Sequence, residues 1–295
     1  METIEDLKKT IRSTGEIGSV VRTMKALAAV NIRQYTQAVH SLARYNRAVE
    51  LALKAALRNR PGLSVGARKA PREAMGAVVF GSDMGMAGQL NERVIEHAFS
   101  EMERLRPGAG DTMLVAVGHR AANRLEDAGL ALEQVFPVPG GVEGITPAVQ
   151  DLLDVIQQWN TRKNITAVVL FYARPRGQSS FTPTTVELLP LDRRWLDRVR
   201  EEPWPTKALP MLGMDWEPLF SSLVSEYLFA GLFRAFADSA ASENASRLAS
   251  MQGAEKNIDQ KLADLNAKYH QRRQMTITEE LLDIVSGFEA LKKGK

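Results

Sequence analysis

Residues 4–56 read IEDLKKTIRSTGEIGSVVRTMKALAAVNIRQYTQAVHSLARYNRAVELALKAA, a segment without proline in which apolar residues recur after alternating steps of three and four. Sixteen positions follow this step, and twelve of them are apolar. A stripe with a period of 3.5 residues is typical of a coiled-coil seam, which is narrower than the apolar face of a helix in a compact domain. The segment therefore predicts one helix of roughly 80 Å. These positions, called here the N-terminal seam, are Ile4, Leu7, Ile11, Thr14, Gly18, Val21, Lys25, Ala28, Ile32, Tyr35, Val39, Leu42, Asn46, Val49, Leu53 and Ala56.

A second long helix is predicted at the other end of the chain, beginning near Asp215 and Pro218. No proline follows Pro218, so a single helix of about 115 Å is possible. Its apolar stripe, the C-terminal seam, includes Leu219, Leu223, Tyr227, Phe233, Leu248, Met251, Ile258, Leu262, Leu265 and Tyr269. The seam resumes, shifted by about one position, at Ile277, Leu281, Ile284, Phe288 and Leu291. Two such stripes bury themselves most simply against each other, so we predict an antiparallel coiled coil in which the longer helix continues alone.

The middle of the chain has the pattern of an α/β domain. Pro61, Gly62, Gly66 and Pro71 predict a linker before it. Predicted strands occupy residues 76–82, 113–118, 132–138, 165–175 and 181–190, with helices between the first four and a hairpin joining the last two. This alternation predicts a Rossmann-like domain with a mainly parallel sheet and one antiparallel edge. The predicted domains are therefore residues 1–58, 72–210 and 215–292.

Composition excludes several classes of protein. The 295 residues contain no cysteine, which excludes disulfides and thiolate chemistry. The four histidines form no HExxH pair. No apolar run reaches the roughly eighteen residues of a membrane span, and the acidic, polar start METIEDLKKT does not resemble a secretory signal. A cytosolic compartment is expected.

The first sixty residues are basic, with eleven Lys and Arg against five Asp and Glu. Nucleic-acid binding would require basic clusters with interleaved aromatic residues or a known reader motif, and neither occurs. A solvated helix face is one interpretation of this charge. The functional interpretation is a basic helix matched to an acidic protein partner.

The candidate ligand site is the loop GSDMGMAGQLNE, residues 81–92, between a predicted strand and a helix. Phosphate-binding loops occur at this place in the fold. The GxxxGxxG spacing of this loop, however, lacks the GK[ST] of a nucleoside-triphosphate loop and differs from the GxGxxG of a dinucleotide-binding loop. Asp83 and Glu92 have no further candidate ligands near them in the sequence to complete a metal site. His119 follows a strand, but no nucleophile or carboxylate lies at a spacing typical of a catalytic site. A structural turn is favoured, and we predict no catalytic residue, cofactor or metal.

Several motifs resemble the gamma subunits of F-type ATP synthases. The most specific is RRQMTITEELLDIVSG, residues 272–287, which follows ENASR at 243–247. VRTMKALAAVNIR at 21–33 and the loop at 81–91 resemble family segments at the same relative places. Departures from the usual family pattern at Gly15–Ile17, Asn31, Met84 and Ala87 suggest a divergent branch or an alternate F-type ATPase.

The resemblance implies a rotating central shaft rather than a catalytic subunit. Its implied partners are the alpha and beta subunits of the catalytic ring, the epsilon subunit and the membrane c-subunit ring, with no nucleic acid and no membrane span. The implied location is the cytoplasmic face of the bacterial plasma membrane, as a peripheral part of the synthase. Its function would be to couple ion translocation, of protons or sodium, to ATP synthesis or hydrolysis.

The resemblance also implies contact residues for the alpha–beta ring. Met24, Lys25 and Arg33 lie in the stretch that faces an acidic lever of beta. Arg273, Gln274, Thr278 and Glu280 match polar contacts with the beta and alpha barrels. Ile284 and Phe288 belong to a tip held in an apolar collar.

Two alternatives remain open at this point. A coiled-coil adaptor unrelated to rotary machines would account for the two seams but not for RRQMTITEELLDIVSG. A nucleotide-binding enzyme that uses the loop at 81–92 is less favoured, because the loop lacks the required spacing.

Overall fold

The computed structural model describes residues 3–58, 74–105, 111–177, 180–205, 210–211 and 213–293, without the side chains of Asp111, Arg193 and residues 288–293. The predicted linker at Pro61, Gly62, Gly66 and Pro71 lies outside the described residues. The chain divides into two compact units. We call Met1–Leu27 with Ala249–Lys295 the pair unit, and Ala28–Leu248 the sheet unit.

Two long helices enclose a series of shorter elements in the sequence. The long helices are α1, Ile4–Arg58, and α6, Trp216–Lys293. Between them lie β1 Ala74–Phe80, α2 Leu90–Leu105, β2 Asp111–Val117, α3 His119–Asp127, β3 Gln134–Phe136, a 3-10 turn Val142–Gly144, α4 Ile145–Lys163, β4 Ala167–Arg176, β5 Ser180–Leu189 and α5 Arg193–Glu201. Helix α5 was not predicted, although Asp192 accepts a hydrogen bond from the Arg194 backbone N–H at 2.9 Å and caps its first turn.

In the pair unit, α1 and α6 pack side by side. A side chain at Gly18 would lie 3.1 Å from Ile258 of α6, so the missing side chain allows close approach there. Further along α1, Lys25 pairs with Glu255 at 2.5 Å. From Gly18 to Lys25 on α1, the contacting residue on α6 changes from Ile258 to Glu255. The two helices therefore run antiparallel, as predicted.

Burial in the pair unit follows the predicted seams. Buried side chains on α1 include Leu7, Thr14 and Val21, and those on α6 include Met251 and Leu265. Each of these residues belongs to the N-terminal or the C-terminal seam. The stripe with a 3.5-residue period therefore identified the contact face of both helices.

The predicted shift of the C-terminal seam is wrong. The half-buried stripe continues in its original register through Arg272 and Thr276, whereas Ile277 is 46% exposed. Leu281 and Ile284 are 57% and 69% exposed. The prediction that the longer helix continues alone is confirmed.

The sheet unit contains one five-stranded sheet in the order β3-β2-β1-β4-β5. The first four strands are parallel, and β5 is an antiparallel edge strand paired with β4. Val78 of β1 lies between Val115 of β2 and Leu170 of β4, and all three are fully buried. Both the mainly parallel sheet and the hairpin are confirmed, and buried apolar strands are typical of a sheet covered on both faces.

Different helices cover the two faces of this sheet. One core contains buried residues of α1, α4 and α6, including Tyr35, Trp159 and Phe236, and the rings of Phe80 and Phe236 meet edge to face at 5.0 Å. The other core contains residues of α2 and α3, including Leu90. Within the sheet unit, the long helices therefore form part of the domain core.

Gly76 of β1 tests the packing of the first core. A side chain at Gly76 would lie 2.3 Å from the ring of Trp159, which is fully buried. We expect Gly76→Ala to lower the free energy of unfolding by about 1–3 kcal/mol through overpacking. Urea denaturation followed by circular dichroism measures this loss.

Gly140→Ala is the matched control, because nothing lies within 4 Å of a side chain at that glycine. We expect this variant to unfold at the wild-type urea concentration. Equal stability of the two variants would contradict the close contact between β1 and Trp159.

Candidate functional site

The glycine-rich loop lies at the carboxyl edge of the sheet, between β1 and α2, where open α/β folds commonly bind ligands. Asn91 of α2 closes the loop. Its side-chain oxygen accepts a hydrogen bond from the Ser82 backbone N–H at 3.0 Å, and its amide donates to the Ser82 hydroxyl at 2.9 Å. A side chain at Gly81 would lie 2.5 Å from Ala121 of α3. The glycine therefore allows the loop to approach a neighbouring helix.

Gly118 brings the end of β2 against the same loop. Its φ of +103° favours glycine, and a side chain there would lie 2.8 Å from the Ser82 backbone. The Ser82 carbonyl accepts a hydrogen bond from the Arg120 backbone N–H at 2.9 Å. These contacts join the ends of two adjacent parallel strands.

Asp83 connects three segments at this edge. One carboxylate oxygen accepts from the His119 backbone N–H and contacts His119 Nδ1, each at 2.8 Å, and the other accepts from the Val138 backbone N–H at 2.7 Å. Burial raises the pKa of Asp83, but the hydrogen bonds from His119 and Val138 outweigh burial and hold the pKa below its ordinary value. Both oxygens are thus engaged in joining the chain segments that follow β1, β2 and β3.

The other candidate ligands are also engaged. Glu92 pairs with Arg124 of α3 at 2.8 Å, and His119 is the exposed partner of Asp83. Among the described residues, no group of three or more His, Asp or Glu side chains could hold a metal ion. Asp83, Glu92 and His119 are therefore all engaged in contacts within the sheet unit.

Helix α6 covers the same edge of the sheet. The Ser246 hydroxyl donates to the Ala87 carbonyl at 2.5 Å, which attaches the loop to α6. One turn earlier, buried Glu243 pairs with Arg247 at 2.5 Å. Burial raises the pKa of Glu243, although the Arg247 guanidinium opposes that shift. The edge that binds ligands in many α/β proteins is occupied here by a helix of the chain itself.

The predicted ring contacts on α1 differ in their surroundings. Met24 is half-buried. Lys25 is 34% exposed, and Glu255 within the pair unit neutralises its charge. Arg33, in the sheet unit, is exposed. Arg33 therefore has more of its charge available to a partner than Lys25 has.

The predicted contacts at the end of α6 lie on an exposed helix. Arg273, Gln274, Glu280 and Ile284 are all exposed. Thr278 is exposed too, but its hydroxyl donates to the Gln274 carbonyl at 2.9 Å within the same helix. The side chain of Phe288 lies outside the described residues.

Sequence reasoning missed a second apolar stripe on α1. Ile17, Val20 and Leu27 of the pair unit are 57%, 59% and 58% exposed, although the seam residues beside them are buried. Their spacing of three and seven places them on one helix face. This spacing is visible in the sequence, beside the stripe of the N-terminal seam.

Comparison with known sequences gives matches along nearly the whole chain. A family model described as ATP synthase matches residues 3–291. The ATP synthase gamma chain of Ruminococcus albus is 25% identical over 289 residues, which cover 97% of this chain and 98% of the relative. The ATP synthase gamma chain of a Synechococcus species is 27% identical over 319 residues, with 99% of each chain covered.

Solved structures share the fold. A chain in the OSCP/F1/c-ring part of Euglena gracilis mitochondrial ATP synthase superposes with a TM-score of 0.67 at 17% identity, covering 99% of this chain and 95% of the other. A chain in the central stalk/c-ring of Tetrahymena thermophila mitochondrial ATP synthase gives a TM-score of 0.58 at 21% identity, covering 80% and 99%. At these identities, the superpositions establish the fold.

Asp83→Asn tests the structural role of the loop. An amide offers one acceptor oxygen, so its NH₂ group must face a backbone N–H of His119 or Val138. We expect a loss of about 1–3 kcal/mol in the free energy of unfolding at pH 7, measured by urea denaturation. Because the folded pKa is lowered, this stabilisation is complete above the ordinary value of 3.8 and disappears as the pH falls through the folded pKa.

The matched control is Glu92→Gln, which removes a half-exposed ion pair on the same side of the sheet. We expect it to cost less than about 1 kcal/mol at pH 7. If Asp83→Asn lowered the free energy of unfolding no more than this control does, the carboxylate would not be the group that joins the three segments.

Proposed function

We infer the function of this chain from its family: it belongs to the ATP synthase gamma chains, the central-stalk rotor subunits of that complex. We propose that it couples ion translocation through a membrane c-subunit ring to ATP synthesis or hydrolysis in an alpha–beta ring. The observation that carries this proposal is the antiparallel pair of α1 and α6, beyond which α6 continues with exposed apolar side chains.

The packing of the pair unit suits a turning shaft. Two helices that bury a common seam resist bending and torsion more than one helix does, so torque is transmitted with little loss. The shaft must also avoid a permanent bond with any one partner. An asymmetric surface then favours a different conformation at each position around the ring, which is a population shift through differential contact.

The exposed end of α6 is the proposed bearing contact. Apolar side chains in water are unfavourable, and a cluster of them often marks a protein interface. The exposed apolar side chains here are Ile277, Leu281, Leu282, Ile284 and Val285, and they overlap the predicted tip, which begins at Ile284. An apolar collar in the alpha–beta ring would cover these side chains without fixing an angular position. Phe288 is assigned to the same contact by sequence alone.

Polar and charged contacts are proposed beside the tip and on α1. Arg273, Gln274, Thr278 and Glu280 would meet the alpha and beta barrels. Met24 and Arg33 would face an acidic lever of beta, and the charge of Arg33 would attract that lever without requiring close packing. Lys25 is given a smaller part in this contact, since Glu255 already neutralises it.

The remaining partners and the location are proposals from the family. The sheet unit would contact the epsilon subunit and the c-subunit ring, at the cytoplasmic face of a bacterial plasma membrane. We also retain the division into residues 1–58, 72–210 and 215–292. ATP chemistry would take place on other subunits, and the transported ion would be selected in the c-subunit ring.

Helix α6 is not proposed as a membrane span, although its length and composition alone would permit one. Its apolar residues have uses within the protein. Leu232 and Phe236 are buried in the core of the sheet unit, and Met251 and Leu265 are buried in the pair unit.

Co-purification tests the rotor proposal against a coiled-coil adaptor. A tagged chain, recovered from detergent-solubilised membranes of its own organism, should bring down alpha and beta subunits in equal number. Recovery of other proteins without ATPase subunits would favour the adaptor. Micromolar binding of ATP or NAD to the isolated chain in calorimetry would instead revive the nucleotide-binding alternative.

A charged side chain in the seam should uncouple ion pumping from ATP hydrolysis. Leu265 is 8% exposed, so Leu265→Asp places a carboxylate between α1 and α6, and Leu262→Asp does so in a half-buried position. We expect ions pumped per ATP hydrolysed, measured in reconstituted vesicles, to fall more than in Asp83→Ala. Ala267→Asp adds the same charge at an exposed position two residues from Leu265 and should leave the ratio unchanged. Equal losses in all four variants would contradict the shaft mechanism.

A charge at the tip should act only in the complex. Ile284 is 69% exposed, so Ile284→Asp should leave the thermal unfolding of the isolated chain within error of wild type. In the assembled complex, we expect weaker retention of the chain by the alpha–beta ring and a several-fold lower rate of ATP-driven pumping. Wild-type retention and pumping would remove the apolar bearing from the proposal.

A further inference from the structure

A cavity of about 540 Å³ lies within the sheet unit, between α1, the β4–β5 hairpin and α6. This volume falls in the range of small-molecule sites. Apolar side chains form its floor, namely Val39, Leu42, Val186, Leu188 and Ala230. The cavity is separate from the glycine-rich loop and from every residue assigned above to the alpha–beta ring.

Two arginines on the cavity wall share one carboxylate. The Nε atoms of Arg174 and Arg234 lie 3.9 Å and 3.4 Å from the same oxygen of Asp238. The Asp238 side chain is only 7% exposed, whereas the two arginines are 43% and 52% exposed. Asp238 therefore lies behind the guanidinium groups and neutralises one of their two charges.

The guanidinium groups also have unused donors. Each carries five N–H donors. Arg174 Nη2 donates to the Tyr172 hydroxyl at 2.7 Å, and Arg234 Nε donates to Asp238. The Nε of Arg174 is buried and has no hydrogen-bond partner among the described residues. A buried donor in this state requires a physical explanation, and the Asp238 oxygen, 3.9 Å away, is too distant to accept its hydrogen bond. Because the Arg174 side chain is 43% exposed although Nε is buried, a ligand in the cavity would be met by the other donors of the guanidinium group.

Glu187 of β5 belongs to the lining of the cavity, but its side chain lies on the opposite face of the sheet from Leu188. Leu188 belongs to the core that contains α6, whereas Thr185 contacts His97 of α2 at 2.8 Å. Because strand residues alternate, Glu187 shares the face of Thr185. Consistently, the pKa of Arg104 on α2 is raised by Glu101 and, to a smaller extent, by Glu187.

Glu50, the acidic residue of α1 at the cavity, is already paired with an arginine. Glu50 lies 3.5 Å from Arg47, which also contacts Glu202 at 3.6 Å. His40 is an exposed residue of the lining and adds positive charge when protonated. Arg174, Arg234 and Asp238 therefore leave the wall with one excess positive charge.

We propose that this cavity binds a small phosphate-bearing anion. Arg174 and Arg234 would grip the phosphate oxygens, because the planar guanidinium fork matches that geometry. The uncharged part of the ligand would lie on the apolar floor. A soluble organic phosphate and a phospholipid headgroup share this chemistry, and the experiment separates these two sources. The proposal does not depend on the rotor function.

The test uses the full chain and three probes. Isothermal titration calorimetry measures binding of inorganic phosphate and of phenyl phosphate, whose ring should make it the tighter ligand. Co-sedimentation measures binding to phosphatidylglycerol vesicles, with phosphatidylcholine vesicles as reference. Binding to phenyl phosphate identifies a soluble ligand, and binding to phosphatidylglycerol vesicles alone identifies a headgroup; either supports the site. Binding to none of the probes would overturn it.

Substitutions locate the binding. Arg234→Gln should weaken it at least tenfold, whereas Arg124→Gln, which breaks an exposed ion pair with Glu92 elsewhere in the sheet unit, should leave it unchanged. Asp238→Asn should strengthen binding several-fold, because it releases both guanidinium groups from their carboxylate. A misfolded variant cannot gain affinity, so this gain distinguishes the site from a loss of structure. Wild-type affinity in Arg234→Gln, or no gain in an Asp238→Asn variant with a native circular dichroism spectrum, would contradict the proposal.

Discussion

Burial of one narrow apolar stripe against another is the interaction on which the rest of the protein depends. A seam with a 3.5-residue period exposes too little apolar surface per turn to stabilise an isolated helix in water. Each long helix therefore requires a partner along its stripe, and in the pair unit that partner is the opposite end of the same chain. Leu265 is buried there while Ile284 remains in solvent. Contact with α1 decides which apolar residues of α6 become core and which become surface.

The same two helices are attached to the edge of the sheet where open α/β domains commonly bind ligands. In the sheet unit, Ser246 of α6 bonds to the Ala87 carbonyl, and Tyr35 of α1 donates to the Pro139 carbonyl at 3.3 Å. The carboxyl edge of the sheet is thus attached to the helices. Asp83 occupies a position where a catalytic carboxylate could lie, but its oxygens bind backbone N–H groups. The fold is Rossmann-like, while its ligand edge has become an attachment for the helices.

The sequence predicted the elements whose burial pattern is periodic and local. Both seams could be read from spacing, since their apolar positions repeat every 3.5 residues, and the buried strands could be read as short apolar runs. The end of the paired region could not, because Ile277 and Leu281 continue an apolar pattern whether or not α1 reaches them. Helix α5 was missed because its segment, RRWLDRVRE, is mostly charged and offers only three apolar residues to show a period. The ion pair of Lys25 joins residues 230 apart, and nothing local to Lys25 identifies Glu255.

Lys25 and Gly18, two seam positions without an apolar side chain, explain why the two helices adopt one register. An apolar stripe with a heptad repeat permits slips of seven residues, each of which again places apolar residues opposite one another. Such a slip would place Lys25 against Leu248 or Leu262 rather than Glu255, and the partly buried ammonium group would lose its ion-pair partner. Gly18 would likewise lose its fit with Ile258. Apolar residues therefore drive the pairing, while Lys25 and Gly18 select its alignment, and that alignment fixes how far the end of α6 extends beyond its partner.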